Sequence, residues 1–277
     1  MLNDQRTTSM TITSHSNPQL AELRRLASRR DSRRRSGLFV AEGEDLLAAA
    51  DAAGWRPLRR YCAAGSGLEG MEVDPRLLAA ACGLGSGTRA VAVYRERWAP
   101  APAGPLCVHL HGVADPGNVG TILRGAEAFA ASAVSIGPGC ADPFSPRAVR
   151  ASMGAVFTVP LVRTTGSPAQ REAGLPAQRE AGSAAQREAR LPAQLAIGSL
   201  AQLPRPILAL CAGRGVPLAE VGLRPGTLLI GSERHGLPEE LIAAADLVAR
   251  IPVANHSLNA AMAATVALYE ANRMAAQ

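Results

Sequence analysis

The stretch 227–273 constrains the fold more than any other part of the chain. Its first four residues, TLLI, form an apolar run that is long enough for a strand buried on both faces and too short for a helix. A second apolar run follows at 247–253. Each run leads into a polar segment, GSERHG after the first and ANHSLN after the second. Because open α/β sheets bind ligands at the carboxyl ends of their strands, these segments predict a ligand site at one sheet edge.

The same alternation of apolar runs and helical patterns extends upstream through the second half of the chain. We expect strands at 106–110, 133–137, 156–160, 207–212, 227–231 and 247–252. We expect helices at 119–130, about 145–153, 238–245 and 257–274. Strands that alternate with helices indicate an α/β fold with a mostly parallel sheet, because each helix returns the chain to the same edge.

The first third of the chain is predicted to form a separate, smaller α/β unit. Residues 1–16 are polar and are expected to be a disordered tail, and a helix is expected from Asn17 onward. Strand and helix patterns then continue to residue 97, and residues 98–105 (WAPAPAGP) have the composition of a linker. The predicted organisation is therefore a first domain at 17–97, a linker at 98–105 and a second domain at 106–277.

Residues 167–202 interrupt the alternation with an eight-residue repeat: SPAQREAG, LPAQREAG, SAAQREAR and LPAQLAIG, ending in SLAQ. This period is too short for the helical unit of a solenoid, and the tract has few large apolar side chains. We interpret it as a low-complexity insertion within a crossover connection, either disordered or partly helical, with no chemical role.

Arginine supplies every one of the 29 basic residues, and the net charge is +6. This balance favours a polyanionic partner. Seven arginines lie between positions 24 and 35. A solvated helix face is the alternative interpretation, but this density exceeds what solubility requires, so we favour contact with RNA phosphates. These candidate RNA-binding residues are Arg24, Arg25, Arg29, Arg30, Arg33, Arg34 and Arg35.

Other signals exclude several classes of protein. The five cysteines are scattered without a C-x-x-C pair, which argues against a disulfide framework and a zinc site. The chain contains no run of about 18 apolar residues, so no membrane span is expected. The polar N-terminus is unlike a signal peptide, and no G-x-G-x-x-G follows a predicted strand. A soluble, cytoplasmic protein without a metal is therefore expected.

Three motifs follow one another between residues 115 and 270. They are DPGNVGTILRGAEAF at 115–129, GSERHGLP at 231–238 and IPVANHSLNAAMAATVALYE at 251–270. Together they resemble the motifs of the SpoU/TrmH family of SPOUT RNA methyltransferases. Three motifs in the right order are far more specific than any one of them alone.

The N-terminal part adds to this resemblance. The sequence SNPQLAELRRLASRRDSRRRSGLFVAEGEDLL at 16–47 is similar to the small substrate-binding domain, itself similar to a ribosomal-protein RNA-binding fold, that precedes the catalytic domain in many members. The segment 142–154 resembles a family loop whose arginines face RNA. This adds Arg147 and Arg150 to the candidate RNA-binding residues.

The resemblance also implies a cofactor and an active site. The cofactor is S-adenosylmethionine, which the matching residues Gly231, Ile251 and Leu258 would hold largely through backbone groups. The matching active-site residues are Asn118, Arg124, Glu233, Ser257 and Asn259. The family further implies a C-terminal trefoil knot, and a homodimer in which the arginine reaches the partner's cofactor site.

The same residues have simpler structural interpretations. Asn118 is a good helix N-cap, and Arg124 is spaced to pair with Glu127. Ser257 and Asn259 are equally suited to capping the last helix. The family's arginine is proposed either to accept the ribose hydroxyl proton or to bind the neighbouring phosphate. Because a guanidinium stays protonated, we favour the electrostatic role.

The sequence therefore predicts an S-adenosylmethionine-dependent RNA methyltransferase that acts on a ribose 2′-hydroxyl. Large-subunit ribosomal RNA is the expected substrate, because the first domain resembles those of ribosomal-RNA-modifying members. Two alternatives remain open. One is a ribose 2′-O-methyltransferase acting on tRNA, and the other is a non-catalytic RNA-binding factor of the same fold that acts in ribosome assembly.

Overall fold

The computed structural model describes residues 11–83, 87–164, 200–254 and 258–275, which form two sheets surrounded by helices. The N-terminal part comprises α1 (Pro18–Ser28), α2 (Arg30–Ser36), β1 (Leu38–Glu42), α3 (Glu44–Ala52), β2 (Arg59–Ala63), β3 (Met71–Val73), α4 (Pro75–Cys82) and β4 (Ala90–Arg95). The C-terminal part comprises β5 (Cys107–Leu110), α5 (Pro116–Ala128), β6 (Ala133–Ile136), α6 (Pro146–Ser152), α7 (Ala155–Thr158), β7 (Leu161–Arg163), β8 (Ile207–Leu210), β9 (Val216–Pro217), β10 (Thr227–Ile230), α8 (Glu239–Ala243), β11 (Leu247–Arg250) and α9 (Ala260–Ala275).

The smaller sheet has the strand order β1-β4-β2-β3, with β3 parallel to β2 and the other pairs antiparallel. Its edge corrects the end of the predicted disordered tail at 11–16, whereas residues 1–10 of that tail lie outside the described residues. Ile12 is buried and pairs with Val73 of β3, and its backbone N–H donates to the carbonyl of Glu72 over 2.8 Å. Residues 11–16 are therefore ordered, because Ile12 extends the sheet edge and covers apolar surface. Neither β3 nor α4 was predicted from the sequence.

The larger sheet has seven parallel strands in the order β7-β6-β5-β10-β8-β11-β9. It confirms the predicted α/β fold. The carboxyl ends of β10, β8 and β11 therefore lie side by side, with β8 in the middle. Within the described residues, no helix has both the length and the apolar character needed to cross a membrane.

One predicted strand, at 156–160, is wrong. Residues 155–158 form the short helix α7 instead, and the strand β7 begins only at Leu161. The apolar run fits both structures, and tertiary contacts select the helix. Phe157 packs against Trp55 with ring centroids 5.2 Å apart, and its carbonyl accepts a hydrogen bond of 2.7 Å from the indole N–H of Trp55.

The two sheets share a hydrophobic core. Phe39 of β1 lies 4.7 Å, centroid to centroid, from Phe144, which precedes α6. The predicted linker is also fixed, since Ala99 forms a parallel bridge with Val162 and its N–H donates to the carbonyl of Leu161 over 2.7 Å. The start of the segment 98–105 is thus not a free tether, because Ala99 pairs with the edge strand β7 of the larger sheet. The domain limits themselves stay a prediction.

Most of the predicted repeat tract at 167–202 lies outside the described residues, which resume at residue 200.

Candidate functional site

A pocket of about 550 Å³ opens at the carboxyl ends of β8, β10 and β11. Its wall is formed by residues 210–214 after β8, residues 230–237 after β10, and several residues between β11 and α9. Leu210, Ile230, Ile242 and Leu258 contribute apolar surface, whereas the polar side chains come from the connecting turns and from Glu239 at the start of α8. The pocket therefore occupies the sheet edge where the sequence predicted a ligand site.

All three predicted cofactor residues, Gly231, Ile251 and Leu258, line this pocket. Gly231 is required there by the turn that follows it. A Cβ on Gly231 would lie 2.3 Å from the carbonyl carbon of Gly236, because Ser232 and Gly236 exchange backbone hydrogen bonds of 3.1 and 3.0 Å. The glycine thus permits the tight turn that lines the pocket.

Three of the predicted active-site residues are joined by hydrogen bonds although they come from distant parts of the sequence. The side-chain amide of Asn259 donates to Oδ1 of Asn118 over 3.1 Å. The side-chain amide of Asn118 donates in turn to Oε1 of Glu233, which lines the pocket. The polar chain Asn259–Asn118–Glu233 therefore ends at the pocket wall.

The backbone fixes the direction of this chain. Oδ1 of Asn259 accepts from the N–H of Ala261 over 2.9 Å, at the first turn of α9. The NH₂ group of Asn259 must then face Asn118, which in turn directs its own NH₂ group to the carboxylate. Both the predicted capping role of Asn259 and its contact with the other site residues are thus present.

The predicted N-cap role of Asn118 is wrong. The N-cap of α5 is Asp115, whose Oδ1 accepts from the backbone N–H of Asn118 over 3.0 Å. Pro116 occupies the first helical position, where a missing N–H costs nothing. Because α5 begins three residues earlier than predicted, the Asn118 side chain is free to bind Glu233.

Arg124 does not join the polar chain. It lies exposed on α5, and within the described residues it forms no ion pair and does not line the pocket. The predicted pairing with Glu127 is also wrong, because Oε1 of Glu127 accepts from the hydroxyl of Thr158 over 2.5 Å. Ser257, the remaining predicted active-site residue, lies outside the described residues.

The predicted RNA-binding arginines divide into exposed and structural residues. The exposed members of α1, α2 and their junction are Arg25, Arg29, Arg30, Arg34 and Arg35. Arg24 is half-buried, and its guanidinium donates to the carbonyl of Leu20 over 3.3 Å.

Arg33 corrects that list, since its side chain is only 5 % exposed. Its guanidinium binds Asp142 over 2.8 Å and the carbonyl of Leu26 over 2.7 Å. These two contacts hold the Arg33 side chain in a buried position, so it cannot reach RNA. On α6, Arg147 and Arg150 pair with Asp115 at 3.4 Å and Glu42 at 3.6 Å and remain largely exposed.

The sequence did not identify the pocket residues at 211–214. The predicted strand ran to residue 212, whereas β8 ends at Leu210 and the following residues turn into the pocket wall. Arg214 pairs there with Glu239 over 2.8 Å. Burial raises the pKa of the neighbouring Cys211 thiol. The two glycines at 213 and 215 were the available signal for a turn.

The described residues contain no cluster of histidine, cysteine, aspartate or glutamate side chains that could hold a metal ion.

A sequence profile of the SpoU rRNA Methylase family matches residues 105–269. An uncharacterised tRNA/rRNA methyltransferase of Mycobacterium tuberculosis is 33% identical over 170 residues, covering 59% of this chain and 50% of that protein. The 23S rRNA (uridine(2479)-2'-O)-methyltransferase of Streptomyces viridochromogenes is 30% identical over 174 residues, covering 57% of this chain and 49% of that protein. The matches thus span about half the length of these two relatives.

Among solved structures, the AdoMet-bound rRNA methyltransferase of Sinorhizobium meliloti superimposes with a TM-score of 0.73. It is 28% identical in sequence, and the match covers 95% of this chain and 97% of that chain. The similarity therefore extends over both sheets.

Proposed function

The chain belongs to the SpoU rRNA Methylase family, and we propose that it transfers a methyl group from S-adenosylmethionine to a ribose 2′-hydroxyl of RNA, with large-subunit ribosomal RNA as its substrate. The observation that carries this proposal is the polar chain from Asn259 through Asn118 to Glu233, which ends at the wall of a ligand-sized pocket. The protein is proposed to act in the cytoplasm.

The pocket suits the cofactor. Its volume of about 550 Å³ lies within the range of small-molecule sites, and it combines apolar walls with exposed backbone at the turn after β10. Gly231, Ile251 and Leu258 would hold the cofactor. When bound, S-adenosylmethionine would supply an activated methyl group, whose bond to the sulfonium sulfur would break as the ribose oxygen bonds to the methyl carbon, with S-adenosylhomocysteine as the leaving group and no need for a metal ion.

The protein's own contribution is to position the hydroxyl. Asn118 occupies Oε1 of Glu233, and within the described residues Oε2 accepts no hydrogen bond. We assign Oε2 to accept the proton of the ribose hydroxyl. Because Asn259 and the α9 backbone fix Asn118, the carboxylate is held in one orientation before substrate arrives. A catalytic group that is oriented in advance lowers the reaction barrier more than one that must first be ordered. Ser257 is proposed to complete the active site.

Arg124 is proposed to act on the partner's site in a homodimer. It lies six positions beyond Asn118, which corresponds to about 9 Å along the helix and about 240° around it, so the two side chains face different sides. We assign its guanidinium to bind the phosphate next to the reacting ribose and to stabilise the developing alkoxide.

An apolar surface beside α5 supports the dimer. Met262, Val266 and Tyr269 are spaced along one face of α9 and are 58%, 41% and 56% exposed. The ring of Tyr269 lies 6.0 Å from that of Phe129, at the end of α5. Contiguous exposed apolar side chains of this kind mark interaction surfaces.

The strand order supports the proposed trefoil knot. β10 lies between β5 and β8, and the chain then crosses β8 to place β11 on its other side. The exposed arginines of α2, together with Arg147 and Arg150, are proposed to bind RNA phosphates.

Methyl transfer to purified RNA tests the proposed function. The protein is incubated with methyl-labelled S-adenosylmethionine and, separately, with large-subunit rRNA, small-subunit rRNA and bulk tRNA, and resistance to alkaline cleavage maps any 2′-O-methyl group. We expect label in large-subunit rRNA and none with Glu233→Gln. Transfer to tRNA alone would favour the tRNA alternative. Cofactor binding without transfer to any RNA would favour the non-catalytic factor.

A further inference from the structure

An ion pair between partly exposed side chains lines the pocket and is not used by the proposed active-site chain. The guanidinium of Arg214, in the turn after β8, binds Oε2 of Glu239 over 2.8 Å. Glu239 is the first residue of α8, so the pair joins two segments that line the same pocket. The side chains remain 47% and 72% exposed.

The pocket lining includes both apolar and charged side chains. Leu210, Ile230 and Leu258 provide apolar side chains that are buried or half-buried, whereas the more exposed Arg214 and Glu239 provide one positive and one negative charge. A ligand with an uncharged ring at one end and a zwitterion at the other complements this arrangement.

S-adenosylmethionine has this form, since its adenosine is uncharged and its amino-acid end carries a carboxylate and an ammonium. We propose that Arg214 binds the carboxylate and Glu239 the ammonium of the amino-acid end. The assignment rests on the proposed function.

The existing ion pair is compatible with this exchange of partners. A pair between exposed side chains is weakened by solvent and salt, so separating the two groups costs little. A zwitterion brings each of them a partner of opposite charge and leaves the net charge of the pocket unchanged. A guanidinium can also bind a carboxylate through two parallel hydrogen bonds.

Two other charged residues of the pocket wall fit this role less well. Oε1 of Glu233 is already bound by Asn118. Arg234 lies at the exposed tip of the turn between Ser232 and Gly236, without a carboxylate partner among the described residues. Arg234 therefore serves as the matched control, because it lines the same pocket and carries the same charge.

Two nucleosides separate the ends of the ligand. S-adenosylhomocysteine has the amino-acid end, whereas 5′-methylthioadenosine keeps the adenosine and the sulfur but ends in a methyl group. Their affinities are measured by titration calorimetry for the wild type, Arg214→Gln, Glu239→Gln and Arg234→Gln, with melting temperatures to verify folding. Loss of a charged hydrogen bond should weaken S-adenosylhomocysteine binding about ten-fold in the first two variants. Binding of 5′-methylthioadenosine should stay unchanged in all of them.

Three results would overturn the assignment. Arg214→Gln could weaken both nucleosides equally, it could weaken neither, or the selective loss could appear in Arg234→Gln instead. A wild-type protein that binds neither nucleoside would overturn the proposed cofactor as well. If only the assignment of Arg214 and Glu239 is wrong, the wild-type protein still binds both nucleosides.

Discussion

The side-chain amide of Asn259 donates a hydrogen bond to Oδ1 of Asn118 over 3.1 Å, although 141 positions separate the two residues. The contact joins the start of α9 to the first turn of α5. Since Asn118 then donates to Glu233, both amides and the carboxylate depend on one another for their orientation. Networks of this type are sensitive to the loss of any one member.

This dependence predicts the effect of Asn118→Asp. The new side chain keeps the shape of asparagine but places a second carboxylate against Glu233, so the donor to Oε1 is lost and the two groups repel. We expect methyl transfer to fall about 10²-fold, as when one positioned donor is removed from an active site. Cofactor affinity, measured by calorimetry, should stay close to the wild type. Asn272→Asp makes the same change at an exposed position of α9 and should leave activity unaltered.

Removal of the buried Arg33–Asp142 ion pair should lower the stability of the protein and leave methyl transfer unchanged. Arg33→Met leaves the Asp142 carboxylate, which is only 14% exposed, without its cation. Removing one partner of a buried pair should lower the free energy of unfolding by about 3 kcal/mol. Arg34→Met, at the exposed neighbouring position, is the control for denaturant unfolding. Equal losses in both variants would contradict the structural role of Arg33.

The exposed arginines of α2 predict the salt dependence of RNA binding. Replacing Arg34 and Arg35 together by Gln should reduce the slope of log affinity against log salt by about one unit for each phosphate that the variant no longer neutralises. The double variant at Arg56 and Arg76, which are also exposed, removes the same charge from elsewhere on the N-terminal part. Identical slopes for the two double variants would place the RNA site elsewhere.

The proposed shared active site predicts complementation between variants. Arg124→Ala alone should abolish methyl transfer, and Leu258→Trp should do so by filling the pocket. If Arg124 serves its partner, a mixed dimer combines both lesions in one site and leaves the other intact. Mixing should then recover up to about a quarter of wild-type activity, because half of the dimers are mixed and each has one intact site. Subunit exchange without recovered activity would show that Arg124 serves its own chain.

A buried histidine predicts how stability depends on pH. Nδ1 of His109 lies 3.1 Å from the hydroxyl of Ser135, and within the described residues its Nε2 has no partner. Burial, with a smaller contribution from the charge of His111, lowers the pKa of His109 from 6.5 to about 3. Between these values the unfolded chain binds a proton that the native protein does not, so stability falls as the pH falls, by up to about 1.4 kcal/mol per pH unit.

His109→Asn should reduce this acid sensitivity, because asparagine can still bind Ser135 but does not titrate. Urea unfolding at several pH values between 6.5 and 4 measures the slope. The absolute stability of the variant does not enter the comparison. Parallel curves for the variant and the wild type would contradict the prediction.

The sequence alone determined the class of the fold and the position of the pocket. Strands β5, β6, β8, β10 and β11 were predicted because each is a short apolar run, and burial on both faces of a parallel sheet imposes that composition locally. The position of the pocket was predicted from the polar segments at the strand ends, because parallel strands bring their carboxyl ends to one edge of the sheet. Gly231, Ile251 and Leu258, which the family resemblance assigned to the cofactor, line this pocket.

Tertiary structure decided what the individual polar side chains contact. The apolar run at 155–158 became a helix because Trp55 binds the carbonyl of Phe157, and Arg33 became structural because Asp142 lies beside it. Asn118 is not the N-cap because Asp115 holds that position, and the Arg214–Glu239 pair joins the turn after β8 to the start of α8. Burial and periodicity are properties of a local segment and are visible in its composition. A hydrogen-bond partner far along the chain is set by packing, which no local segment encodes.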